Sequence, residues 1–114
     1  MSRWTAVGRI DDIPLLGARV VRSAAGNIAV FRTQGDEIFA LDDKCPHKGG
    51  PLSQGIVHGK RVTCPLHDRR IELKEGTVVA PDEGCVRTYP VRLFEGVIEI
   101  DLEAATARLA TAAQ

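Results

Sequence analysis

Aromatic residues make up only 4% of the 114 positions, so a core has to be built from Val, Ile, Leu and Ala; apolar types together reach 44%. Net charge is also absent, with 15 basic and 15 acidic side chains and no basic stripe. That excludes the electrostatic footprint of a nucleic-acid binder. No apolar run is long enough to span a bilayer, and Met1-Ser2-Arg3-Trp4 opens without the apolar segment of a signal peptide. The expectation is a cytoplasmic protein with no membrane and no nucleic-acid partner. There is no glycine-rich nucleotide loop, no Ser/His/Asp set and no mononuclear-iron triad, so the chain is not expected to be a catalyst by itself. A chain of this length fits one domain that buries about two-thirds of its extended surface.

Cysteine and histidine are scarce too, at three each, but four of the six fall into two tight clusters. These are Cys45-Pro46-His47 and Cys64-Pro65-Leu66-His67, with sixteen residues between His47 and Cys64. Zinc fingers of the Cys₂His₂ type keep their two Cys together and their two His together. Here each Cys is paired with a His, an order that suits a Rieske [2Fe–2S] centre, in which two Cys hold one iron and two His the other. A binuclear cluster needs ligands from two directions, and two finger-like loops supply them. Pro46 and Pro65 stiffen the fingers just after each thiolate, and Lys48-Gly49-Gly50 lets backbone approach closely enough to donate N–H groups to sulfide. A zinc-stabilised interaction module is the alternative of another class. His58 reads as a solvated residue near a hairpin turn, and Cys85 as a small, half-buried residue.

Short β-like runs dominate the rest. They read at 5–7, 18–21, 27–31, 37–41, 61–63, 70–73, 77–79, 86–93 and 97–101, with turn signals at Gly26-Asn27, Gly35-Asp36, Gly59-Lys60, Glu75-Gly76 and Glu95-Gly96. About nine short strands with tight turns predict an all-β antiparallel sandwich or barrel. Asp11-Asp12-Ile13-Pro14 reads as a turn. The Ala-rich segment 103–114 reads as a surface tail that frays or forms a short helix, docked on a partner.

The segments CPHKGGPLSQGIVHGKRVTCPLH and APDEGCVRTYPVRLFEG give the chain a family resemblance. It resembles Rieske-type iron–sulfur proteins over roughly residues 3 to 101. The words CPHKGGPLSQG and PDEGC-x-x-TYPV are similar to the small subunit of NADH-dependent assimilatory nitrite reductase. The resemblance implies a Rieske-like fold over residues 1–102, in which a small cluster-binding sub-sheet at about 43–80 carries two metal loops. It implies Cys45 and Cys64 on one iron and His47 and His67 on the other, with Pro46, Lys48, Gly49, Gly50, Pro65 and Leu66 packed around the cluster. Pro51, Leu52 and Arg69 are then expected at the docking face. The implied partner is a large flavin- and sirohaem-containing subunit that reduces nitrite to ammonium. A free ferredoxin feeding an aromatic-ring-hydroxylating dioxygenase is the alternative within the family.

Respiratory-chain relatives tie their two loops with a disulfide. Gly50 and Leu66 stand at those positions and cannot form one, which matches a reducing cytoplasm. High-potential relatives place a Ser and a Tyr shortly after the second His, where this chain has Arg69 and Ile71. Fewer donors to the reduced cluster imply a midpoint in the lower part of the Rieske range of roughly −150 to +300 mV.

Overall fold

A computed structural model describes residues 4–23, 26–45, 50–65, 69–80 and 84–103. Among them the strands are β1 (Trp4–Arg9), β2 (Ala18–Ser23), β3 (Gly26–Arg32), β4 (Ile38–Asp42), β5 (Ile56–His58), β6 (Arg61–Thr63), β7 (Arg70–Glu72), β8 (Thr88–Tyr89), β9 (Val91–Phe94) and β10 (Val97–Asp101). They form three sheets, ordered β1-β10-β9, β2-β3-β4-β8 and β5-β6-β7. Every described pairing is antiparallel. The all-β antiparallel expectation holds.

The inner strands of the middle sheet are packed on both faces, and β3 shows why. A strand sends alternate side chains to opposite faces. Ile28 and Val30 enter a core with Ile13, Ala40, Tyr89, Ile98 and Ile100, against the first sheet. Ala29 and Phe31 enter a second core with Leu41, Cys45, Leu52, Val62, Cys64 and Ile71, against the third sheet. The unbroken apolar run Ile28-Ala29-Val30-Phe31 thus serves two cores at once. β4 repeats the pattern: Ile38 and Ala40 face the first core, Phe39 and Leu41 the second.

Three strand readings need correction. Ile56–His58 is a strand with only Val57 buried, so a three-residue piece carries too little periodicity to read. His58 is exposed, as expected, but it ends that strand opposite Arg61, one residue short of the hairpin turn. Residues 77–79 form no strand; isolated bridges join Ile71 to Val78 and Thr77 to Cys85. The run 86–93 is split at Pro90, which has no N–H for a ladder. There the chain leaves the middle sheet (β8) for the first sheet (β9).

The turn expected near Asp11 is a 3-10 turn over Ile10–Asp12, and a second spans Leu52–Gln54. The expected tail helix lies outside the described residues. Among those described, no helix is long and apolar enough to cross a membrane.

Gly55 and Gly76 are forced by close approach. A Cβ on Gly55 would lie 2.2 Å from the Thr63 carbonyl oxygen, and one on Gly76, at φ +72°, 2.4 Å from that of Val86.

Phe31 is fully buried and Phe94 is 62% exposed. Phe31→Ala should therefore cost roughly 3–5 kcal/mol of unfolding free energy, while Phe94→Ala stays within about 0.5 kcal/mol. Urea denaturation followed by circular dichroism checks both values.

Candidate metal centre

Cys45 follows β4 by three residues and Cys64 follows β6 directly. Neither is in a disulfide, and both are packed, 2% and 1% exposed, into the same core between the middle and third sheets. The two loops share a neck geometry. The Cys45 N–H donates to the Gly50 carbonyl, and the Cys64 N–H donates to the Arg69 carbonyl, each at 2.7 Å and each five residues ahead. Each thiol therefore sits at the base of a ring of equal size, though the His falls at the second position in one loop and the third in the other.

The donor chemistry fits a metal cluster. Thiolates buried in an apolar core need a positive charge to compensate them, and two of them enter one core from two separate loops. His47 and His67 lie outside the described residues, as do Pro46, Lys48, Gly49 and Leu66. Their places in the ligand set rest on the sequence.

Several expected neighbours are located. Gly50 is buried and Pro65 exposed. Pro51 is exposed and Arg69 half-buried. Leu52 requires a correction, because it is fully buried in the cysteine-containing core and presents no docking surface. It begins the 3-10 turn that brings the chain back from the first loop, and its side chain is drawn inward by Phe31 and Leu41 of the same core.

Residues that the sequence reading missed anchor the first loop. The Asp42 carboxylate accepts hydrogen bonds from Tyr89 Oη at 2.6 Å and Arg87 Nε at 2.7 Å. Asp43 accepts from the Ser53 N–H at 2.7 Å and from Ser53 Oγ at 2.9 Å. On the second loop's hairpin, Arg61 Nε donates to Glu72 at 2.6 Å, and His58 Nε2 lies 2.7 Å from Thr63 Oγ1. The signal for the Asp pair was present in Asp42-Asp43 just before Lys44-Cys45, but its partners come from distant positions. Burial first, then the hydrogen bond to Asp42, pushes the Tyr89 phenol up to about 12. Arg87 is raised above its usual value chiefly by its hydrogen bond to Asp42.

The fold and the paired thiol loops define an all-β electron-transfer domain of the iron–sulfur type. A model of the Rieske-like [2Fe-2S] domain matches residues 3–101, and the chain belongs to that family. Its cofactor is a Rieske-type [2Fe–2S] cluster, which supplies one-electron transfer when bound. The chain is 36% identical over 103 residues to the anthranilate 1,2-dioxygenase ferredoxin subunit of Burkholderia cepacia, covering 90% of this chain and 94% of that one. A structure assigned to an NADH-dependent nitrite reductase small subunit of Mycobacterium tuberculosis superposes with a TM-score of 0.77 at 25% identity, covering 85% of this chain and 92% of that one. The ferredoxin of carbazole 1,9a-dioxygenase from Nocardioides aromaticivorans shares the fold at a TM-score of 0.79, covering 87% and 97% at 24% identity.

Two outcomes are expected. Cys45→Ser protein, prepared anaerobically, should lose iron and acid-labile sulfide and its low-average-g rhombic EPR signal; stoichiometric zinc in the parent protein would contradict the cluster. The second concerns alkaline stability. A free phenol ionises near 10 and the folded Tyr89 near about 12, so the folded state holds its proton more tightly. The stabilisation is intact below the lower value and is lost as pH rises through the upper one. Tyr89→Phe should flatten that fall, as read from urea midpoints taken below, within and above the window.

Proposed function

We propose that this chain is the small subunit of an NADH-dependent nitrite reductase, passing single electrons through its cluster in a reducing cytoplasm. The observation that carries this reading is the pair of sequence words, CPHKGGPLSQG and PDEGC-x-x-TYPV. Part of each word packs into the cysteine-containing core, while Tyr89 and Val91 of the second enter the other core. Cys45, Leu52 and Val86 share the cysteine-containing core, and Gly84 and Cys85 close onto Val78 and Thr77. Of the first word, Pro51 and Gln54 are exposed and open to a partner. The likeness to the Mycobacterium tuberculosis structure supports the same reading.

In this proposal Cys45 and Cys64 hold the inner iron, and His47 and His67 the outer one. Residues 1–102 form the cluster domain and 103–114 a tail. The partner is a large flavin- and sirohaem-containing subunit that reduces nitrite to ammonium. Pro51 and the exposed side of the ligand loops contribute to the docking face, with Arg69 at its margin.

A second reading is favoured by the Burkholderia cepacia relative: a free ferredoxin that delivers electrons to an aromatic-ring dioxygenase. The two readings differ in partner rather than in cofactor. Affinity capture of the tagged chain from its native host, followed by identification of the partner, separates them. The nitrite reductase reading expects a sirohaem subunit, NADH-dependent nitrite reduction by the pair and none by this chain alone. Loss of an aromatic-ring oxidation on gene deletion, with growth on nitrite spared, would replace it with the ferredoxin reading.

A further inference from the structure

The two ligand loops are closed at their bases in different ways. The second grows from a β-hairpin: Thr63 pairs with Arg70 in the β6–β7 ladder, and the Cys64–Arg69 backbone bond continues that ladder by one rung. The first has no such ladder. β4 ends at Asp42, and the returning chain across from it is the 3-10 turn Leu52–Gln54. Pro51, the residue before that turn, supplies no side-chain cap. The opening N–H groups of a helical turn have no partner within it. Asp43 fills the gap. Its own N–H is fixed to the Asn27 carbonyl on β3 at 2.9 Å. Its carboxylate takes the N–H and hydroxyl of Ser53, ten residues ahead.

We infer that Asp43 is a positioning residue for the cluster, with its paired bonds to Ser53 replacing the missing ladder rung and its charge holding the reduction potential down. The inference deepens the reading of Cys45 as a ligand and rests on it. Asp43 stands two residues before that thiolate, just past the end of the strand that leads to it. Hydrogen bonds to a charged group are stronger than neutral ones, so the carboxylate fastens the neck more firmly than an uncharged acceptor would. A fixed negative charge beside a centre that gains an electron also disfavours the reduced form.

Substitutions separate the two roles. Asp43→Asn keeps an oxygen to accept the Ser53 N–H and an amide to donate to Ser53 Oγ, but removes the charge. It should retain iron nearly as long as the parent and shift the midpoint potential upward in a spectroelectrochemical titration. Asp43→Ala removes both bonds. Iron release to a chelator should then accelerate by roughly ten-fold or more, the usual scale for groups that orient a metal ligand. Hydrogen exchange across residues 44–53 should rise with it. Ser53→Ala keeps the backbone bond and should fall between parent and Asp43→Ala, which preserves the test if Asp43→Ala does not fold. Glu72→Gln, at the base of the other loop, should leave iron release unchanged because the ladder holds that loop.

Parent-like iron retention in Asp43→Ala, or an unshifted potential in Asp43→Asn, would overturn the inference. Retention of the full cluster by Cys45→Ser would instead remove the ligand reading, and this inference with it.

Discussion

A strand buried on both faces has no position to give to a polar side chain, and the placement of the metal loops follows from β3 meeting that demand. Ile28, Ala29, Val30 and Phe31 are at most 1% exposed. Each large apolar side chain so placed is worth roughly 1.5–3 kcal/mol relative to exposure. With both faces of β3 covered, irregular backbone is left to the strand ends, where its polar groups can reach water or one another. β4 pairs with β3 along its whole length and ends at Asp42. Its extension therefore carries Cys45 to the rim of the core that Ala29 and Phe31 help to build. The third sheet closes the same core and brings Cys64 from the other side.

What was legible in the sequence follows from how much each feature depends on type and spacing alone. The iron–sulfur family was legible because cluster chemistry admits few residue types, and the order of Cys and His in the sequence separates it from a zinc finger. The all-β class was legible because aliphatic runs of strand length alternate with Gly-containing turns. The sheet change at Pro90 was available in principle from its missing N–H, but the apolar run 86–93 masked it. The burial of Leu52 was not available: after Gly-Gly-Pro it reads as an exposed loop residue, and only the 3-10 turn directs it into the core. The partners of Asp42 and Asp43 were equally hidden, since Arg87, Tyr89 and Ser53 meet them only once the sheets are assembled.

Unequal ligand spacing and equal loop necks fit together in mechanical terms. The neck bond fixes where each thiolate leaves its loop, and both span five residues. The one-residue difference in where the His stands in the sequence falls inside that five-residue span, so the core can treat Cys45 and Cys64 alike. Such a division separates the stability problem, solved by buried aliphatic side chains, from the coordination problem, solved by loop length.

The same division bears on partner choice. The overall fold is common to the carbazole 1,9a-dioxygenase ferredoxin and to the structure assigned to a nitrite reductase small subunit. A partner can be distinguished only by what stands outside that frame. Ile56 is 69% exposed on the edge strand β5, directly across from Thr63, the residue before Cys64. Pro51 and Pro65 are exposed on the two ligand loops. These positions are free of core packing, so changing them costs little in stability and alters the surface a partner meets. A fold whose core is filled by buried aliphatic side chains thus leaves these few solvent-facing residues near the loops free to vary without loss of stability.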